Sequence, residues 1–172
     1  TVAVPGGDLQ YYKVSYDARL YTPLINDYTL VLKTQLGYGE AYGSTHELPF
    51  FENFYAGGPR TVRGYDEYSL GPQDIYGRAL GGNINIIGNA EVIIPVPFLE
   101  DFKSVRFSGF YDIGNVWADY QDFDLGDLRM STGMSATWMS PFGLLSISYA
   151  LPIRDQKYDE VQKFQFNFGA QF

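Results

Sequence analysis

The 172-residue sequence predicts an all-β fold, specifically an antiparallel transmembrane β-barrel, on three observations. Hydrophobic and polar residues alternate with a period of two along seven segments. Most segments are at least as long as the ~9–11 residues that cross a bilayer at a tilt, whereas strands of soluble sheets have a mode of ~5–6 residues. The connections tend to alternate between short turns and long polar loops, which is typical of outer-membrane barrels.

The seven segments are predicted strands. They cover residues 9–22, 28–40, 83–96, 104–117, 127–139, 143–153 and 164–172, and residues 1–4 are typical of the tail of an earlier strand. The last segment alternates most clearly, with an apolar face made of Phe164, Phe166, Phe168, Ala170 and Phe172. Lipid offers backbone groups no hydrogen-bond partner, so strands can span it only in a closed barrel. We therefore expect the apolar face to contact lipid and the polar face to line a wet interior.

The lengths of the connections indicate on which rim of the barrel each connection lies. Residues 23–27, 97–102 and 140–142 are short turns, whereas residues 41–82, 118–126 and 154–160 are longer and more polar. The turn at residues 5–8 is an exception, because it is short on the long-loop rim. A helix-like patch lies at residues 47–54. Aromatic residues placed as interfacial girdles are Tyr12, Tyr28, Tyr38, Tyr111, Trp117, Trp138, Tyr149, Phe164 and Phe172.

Composition and charge exclude several classes of protein. The net charge is −8, and no Lys/Arg cluster of the kind that binds nucleic acid is present. The chain has no cysteine, which excludes a disulfide framework and a cysteine-based zinc site. The longest apolar run, residues 92–99, is broken by two prolines and is shorter than a spanning helix needs. We expect Thr1 to be an internal start, with an export signal and other domains upstream.

Candidate catalytic and metal sites are weak, so we predict no enzyme, no cofactor and no metal. His46 is the only histidine and is expected to be a solvated loop residue. Residues 57–60 are glycine-rich but lack the Gly-Lys-Ser/Thr of a phosphate loop. The adjacent pairs Asp66/Glu67 and Asp159/Glu160 are expected to be solvated. Four acidic loop residues could hold a cation with lipopolysaccharide, but nothing fixes their geometry: Asp119, Asp122, Asp124 and Asp127.

The loop at residues 41–82 is far longer than an ordinary ~4–6-residue connection, so it is either functional or disordered. Its many aromatic residues argue against disorder. We predict that this long extracellular loop folds back into the barrel interior and packs there.

The loop contains Phe-Phe-Glu-Asn-Phe-Tyr-Ala-Gly-Gly at 50–58 and Val-Arg-Gly-Tyr at 62–65. These motifs resemble the BamA family, the barrel subunits of the outer-membrane barrel assembly machinery. Residues 89–97, 109–117, 138–143 and 164–172 agree with the family in the same order. The resemblance covers essentially the whole chain. It implies that residues 1–172 are the C-terminal half of a sixteen-stranded barrel, with about seven or eight strands here.

The resemblance also implies a role for Arg63, because the loop arginine of this family pairs with acidic residues on the inner wall. Glu91 and Asp112 lie on the polar face of adjacent predicted strands, where the family motif places the acids. Phe110 shares that face, although a polar residue is expected there. We call the following set the loop-lock cluster and predict that it holds the loop and the barrel shape: Arg63, Gly64, Tyr65, Glu91, Phe110 and Asp112.

The last strand carries the second family motif, an aromatic terminal residue preceded by alternating aromatics. By resemblance, this strand borders a weak seam called the lateral gate, and Gly169 is its kink residue. An exposed edge can take up another strand by β-augmentation. The predicted gate residues are Phe164, Phe166, Phe168, Gly169 and Phe172.

The resemblance implies a factor that folds and inserts barrel proteins in the bacterial outer membrane. Its expected partners are outer-membrane lipids, lipopolysaccharide, unfolded outer-membrane proteins and, through upstream periplasmic repeats, accessory lipoproteins. Close alternatives are a two-partner secretion exporter, a translocation-and-assembly barrel and a patatin-linked barrel. More distant alternatives are a passive porin and a soluble β-barrel binding module, in which the apolar face would point inward.

Overall fold

Seven long strands form one antiparallel sheet in the computed structural model, which describes residues 9–95, 104–141 and 143–169. The long strands are β1 (Tyr11–Pro23), β2 (Thr29–Ala41), β4 (Ile84–Ile94), β5 (Val105–Trp117), β6 (Arg129–Ser140), β7 (Gly143–Arg154) and β9 (Phe164–Gly169). Two short strands, β3 (Gly64–Tyr65) and β8 (Val161–Gln162), pair with each other. Each long strand pairs with the next long strand along the chain, and β1 and β9 lie at the two edges. The predicted all-β antiparallel fold is confirmed, and each predicted strand has its counterpart.

The two faces of the sheet differ as the period-two pattern predicts. Leu32 and Phe166 are 38% and 58% exposed on one face, whereas Asp112 and Gln165 are 0% and 3% exposed on the other. We call the face with Asp112 and Gln165 the inner face. The outer face carries unpaired apolar side chains, which is the arrangement that a lipid-facing barrel wall requires. The soluble alternative with the apolar face inward is therefore wrong.

The connections separate into a short-turn rim and a long-loop rim. Residues 24–28 join β1 to β2 through a 3-10 turn at Ile25–Asp27, and residues 141–142 join β6 to β7. Residues 42–83, 118–128 and 155–163 emerge from the opposite rim. The helix-like patch at 47–54 contains only a single 3-10 turn, Phe50–Glu52. The described part of the chain has no helix with the length and hydropathy to cross a bilayer.

Some predictions fall outside the described residues. These are the strand tail at residues 1–4, the turn at 5–8, the turn at 97–102, and residues 170–172 at the end of the last predicted strand.

The long loop lies against the inner face and builds a small apolar core there. This core consists of Ala56, Val62, Tyr65, Leu70, Ile87 and Val116, with the half-buried Phe54 packed against it. Ile87 and Val116 belong to the strand wall, and each sits in an apolar doublet that interrupts the simple alternation. The loop therefore fills part of the space at the inner face with apolar packing.

One girdle residue is placed differently from the prediction. Trp117 is only 2% exposed, at the end of β5. Its indole N–H donates to the carbonyl of Asp124 at 3.1 Å, and its ring packs against Phe123 at 4.8 Å. The prediction that Trp117 belongs to the lipid-interface girdle is wrong, because the loop after β5 folds over this side chain.

Candidate functional site

Arg63 joins the loop to two neighbouring strands of the wall. Its Nε and Nη2 atoms donate to the two oxygens of Asp112 at 2.7 and 2.8 Å, which is the bidentate fork geometry. Its Nη1 atom donates to Glu91 Oε2 at 3.1 Å. Asp112 lies on β5 and Glu91 on β4, so one side chain of the loop spans both strands.

The two carboxylates have further partners that hold them in place. Asp112 also accepts from the backbone N–H of Arg63 at 3.1 Å and from Asn89 Nδ2 at 2.9 Å. Asn89 Nδ2 additionally donates to the carbonyl of Thr61 at 2.6 Å, which ties the loop backbone to β4. Glu91 accepts from the hydroxyl of Ser108. The fully buried Asp112 is thus surrounded by donors, as a buried carboxylate must be.

The contact between Phe110 and Arg63 explains why Phe110 lies on the polar face. The guanidinium carbon of Arg63 lies 3.5 Å from the centroid of the Phe110 ring, which is a close cation–π contact. Phe110 pairs with Gly133 on β6, and a Cβ at Gly133 would approach the Phe110 ring to 2.8 Å. Glycine at 133 therefore leaves space for the Phe110 ring that contacts Arg63.

The charge of Arg63 is retained despite its burial. Burial opposes the charged form, but hydrogen bonds to Asp112 and the charges of Asp112 and Glu91 raise the pKa of Arg63 above its ordinary value. Removing one partner of a buried ion pair costs about 3–5 kcal/mol, because the other charge is left uncompensated. The contacts of Arg63 described above are ion pairs, hydrogen bonds and a cation–π contact, so this arrangement can hold the loop against the strands.

Gly64 and Tyr65 continue the loop from Arg63 toward the last strands. Gly64 has φ +93°, and an added Cβ would lie 3.1 Å from the Cβ of Ala150, so both conformation and space favour glycine. The hydroxyl of Tyr65 lies 2.7 Å from the carbonyl of Arg154 and 3.1 Å from that of Met130. Burial, with the nearby charge of Asp159, raises the pKa of Tyr65, so its hydroxyl stays protonated and donates.

The structure brings the six residues of the loop-lock cluster to one region of the inner face. The gate residues occupy a separate place on β9. Phe164, Phe166 and Phe168 are more than half exposed on the outer face, at 62%, 58% and 56%. Gly169 pairs with Leu144 at the last described position of β9, and Phe172 lies beyond the described residues.

A second arginine cluster was missed by the sequence reasoning. Arg129 donates from Nη2 to Asp159 at 2.9 Å and from Nη1 to Asn115 at 2.9 Å. The side chains of Arg129 and Asp159 are only 8% and 2% exposed. The expectation that Asp159 is solvated is therefore wrong, because the loop at residues 155–163 turns this carboxylate inward. The signal available in sequence was an arginine on the polar face of β6.

The remaining candidates form no chemical site. His46 is exposed in the loop. Within residues 9–95, 104–141 and 143–169, no three His, Asp or Glu side chains converge on a possible metal position.

The sequence of the chain is similar to those of several known proteins. A family model described as the Omp85 superfamily domain matches residues 1–172. The outer membrane protein assembly factor BamA of Neisseria meningitidis serogroup B (strain ATCC BAA-335 / MC58) is 38% identical over 99% of this chain and 25% of its own length. The sorting assembly machinery 50 kDa subunit of Saccharomyces cerevisiae (strain ATCC 204508 / S288c) is 28% identical over 86% of this chain and 33% of its own length.

A solved structure shows the same fold. The crystal structure of BamA from Haemophilus ducreyi lacking POTRA domains 1–3 matches with a TM-score of 0.85 and 34% identity, over 96% of this chain and 36% of that chain. The chain thus spans about a quarter to a third of the length of these relatives. The predicted resemblance to BamA and the predicted place in a bacterial outer-membrane barrel are confirmed. This chain belongs to the Omp85 superfamily.

Proposed function

We propose that this chain is part of the barrel of an outer-membrane protein assembly factor, which folds and inserts β-barrel proteins into the bacterial outer membrane. The observation that carries the proposal is the similarity to BamA barrels along nearly the whole chain, in both sequence and fold. The factor works by templating strands and perturbing the membrane locally. It makes and breaks no covalent bond.

The last strand supplies the template. β9 is an edge of the described sheet and pairs with β7 from Phe164 to Gly169. A strand edge presents unpaired N–H and C=O groups, which a client strand satisfies by β-augmentation. The exposed phenylalanines of β9 keep the outer face of this edge in lipid. Gly169 lacks a side chain that packs, so the strand can bend there and open the gate.

The loop-lock cluster keeps the rest of the wall rigid while the gate works. Arg63 connects the loop to both β4 and β5 in a largely buried position. A barrel that opens at one seam needs the opposite elements held in register, and a docked loop supports the wall from inside. The fastened loop therefore preserves the barrel shape during insertion.

The proposed partners follow from the barrel and its relatives. Lipids and lipopolysaccharide surround the outer face, unfolded outer-membrane proteins bind at the gate, and accessory lipoproteins bind parts of the protein outside this chain. A passive porin would instead show steady ion conductance and no effect on client folding.

The decisive experiment places a photo-crosslinking residue at Phe166 in the full-length protein, reconstituted in lipid vesicles. A urea-unfolded eight-stranded outer-membrane protein is added as client, and its folding is followed by heat-modifiable mobility on gels. We expect faster client folding than in empty vesicles, and crosslinks from position 166 to the terminal strand of the client.

The matched control places the same residue at Phe107, which also lies on the outer face but three strands away on β5. At about 4.8 Å between strands, this position is roughly 14 Å from the gate. Client crosslinks of equal strength from both positions, or a client that folds no faster than in empty vesicles, would refute the proposed gate mechanism.

A further inference from the structure

The loop follows the inner side of the terminal strand over several residues. Tyr65 pairs with Val161 and Gly64 with Gln162 in the small β3–β8 sheet. Farther along β9, a Cβ at Gly169 would lie 3.6 Å from Nη2 of Arg60. The loop segment at residues 60–65 therefore approaches the terminal strand near both ends, in addition to its contacts with β4 and β5.

Gln165 makes the central contact between these two elements. Its Oε1 atom accepts from the backbone N–H of Gly64 at 3.2 Å, and its Nε2 atom donates to the carbonyl of Tyr65 at 2.6 Å. The side chain is 3% exposed on the inner face of β9. Because one partner donates and the other accepts, only one orientation of the amide satisfies both. Gln165 thus pairs with the loop backbone much as a neighbouring strand would.

We propose that Gln165 is a positioning residue that couples the docked loop to the gate strand, so that β9 leaves its register only when the loop also shifts. This inference rests on the proposed function, because only that function makes β9 a gate strand. The coupling itself can be measured in the protein without any client. The loop is docked through Arg63 on β4 and β5, and Gln165 carries that docking to β9.

The loop and β9 are coupled because they share the hydrogen bonds of Gln165. If β9 moves away alone, the buried Gly64 N–H loses the acceptor of Gln165, and such a group is costly to leave unpaired. The Tyr65 carbonyl loses the donor of Gln165 and keeps the N–H of Gly58 at 3.1 Å. The coupling between two sites is reciprocal, so loosening the loop must also loosen β9. A net loss equivalent to one hydrogen bond corresponds to about a tenfold change in the opening of β9.

Hydrogen exchange on the full-length protein in lipid vesicles, without client, tests the coupling. The exchange of amides 164–169 is compared among the wild type, Gln165→Leu, Arg63→Ala and the double variant. We expect each single variant to raise exchange in β9 about tenfold. In the double variant exchange stays about tenfold above the wild type, because the path from the loop to β9 is already broken.

Exchange in the double variant near a hundredfold, the product of the single effects, would overturn the proposal, since it would mean independent contributions. The matched control is Asn167→Leu, which removes another inner-face amide of β9 and should change exchange in β9 by less than about twofold. If Gln165→Leu does not fold, Gln165→Met carries the same cycle, because it removes both the acceptor for Gly64 and the donor to Tyr65 at a similar side-chain length.

The hydrogen-exchange experiment and the client-folding experiment test different claims. Client folding in vesicles tests the assembly activity, whereas exchange without client tests the coupling. Non-additive exchange in a protein that assembles no client would support the coupling and refute the assembly proposal. Additive effects on exchange in a protein that does assemble clients would refute the coupling and support the assembly proposal.

Discussion

Replacement of Arg63 by alanine is the sharpest test of the docked loop. The variant removes the bonds of 2.7 and 2.8 Å from the fully buried Asp112, together with the cation–π contact on Phe110. Asp112 keeps only the donors of Asn89 and the loop backbone. Glu91 adds little to the loss, because it is 28% exposed and still bonded to Ser108.

The expected magnitude follows from the buried pair. Leaving Asp112 without its partner destabilises the docked loop by about 3–5 kcal/mol, whereas the undocked loop lets water reach the carboxylate. This difference raises the population of the undocked loop by between about a hundredfold and a few thousandfold. Arg63→Lys should give a smaller effect, because lysine keeps the charge and loses the bidentate fork.

Hydrogen exchange of amides 61–66 in the full-length protein measures this opening directly. Chymotrypsin cleavage next to Tyr65, which is 0% exposed in the docked loop, gives a second readout and should become faster. Trypsin is unsuitable because the substitution removes one of its own sites. The matched control is Arg78→Ala, which breaks a loop ion pair whose arginine side chain is 75% exposed, and should change loop exchange little.

Equal protection of the loop in the wild type, Arg63→Ala and Arg78→Ala would refute the reasoning. In that case the apolar core would dock the loop without help from Arg63, and the cluster would have no locking role.

Three further predictions concern the wall and the loop. Replacing Arg129 by methionine leaves the buried carboxylate of Asp159 without its ion-pair partner, so the free energy of unfolding in urea should fall by about 3–5 kcal/mol. Gly64→Ala forces φ +93° on a residue with a Cβ and should lower the same quantity by about 1–3 kcal/mol; unchanged unfolding would contradict the strain argument. Phe166→Lys places a charge in lipid and should reduce stability in vesicles by up to about 2–4 kcal/mol, whereas Asn167→Lys on the inner face should cost clearly less.

The strand framework was predictable because its signal is local. Alternation in each segment reports which side of the strand meets lipid, and lipid requires every backbone group to be paired. This is why β9, with phenylalanine at 164, 166 and 168, was predicted with the correct face outward. The apolar doublets at Ile87 and Val116 were two of the places where a purely alternating pattern failed, because a non-local element packs on them.

The inner contacts were accessible to sequence reasoning only where a family motif marked them. Arg63 and Asp112 are 49 residues apart in the chain, and Gly64 and Gln165 are 101 apart. Arg63 lay in a recognisable motif, so its acidic partners were anticipated by resemblance. The Arg129–Asp159 pair carried no such mark, and Asp159 was expected in solvent.

The sequence by itself determined the all-β class, the order and approximate extent of the seven long strands, and which face of the wall is apolar, since these depend on a period of two and on the demand of lipid for paired backbone. The short strands β3 and β8 were not predicted. Only the tertiary structure decided where the loop lies, which carboxylates receive its arginine, and that Gln165 of the last strand bonds to its backbone. These contacts join residues far apart in the chain, and their partners are set by how the loop packs against a wall that six other strand segments build.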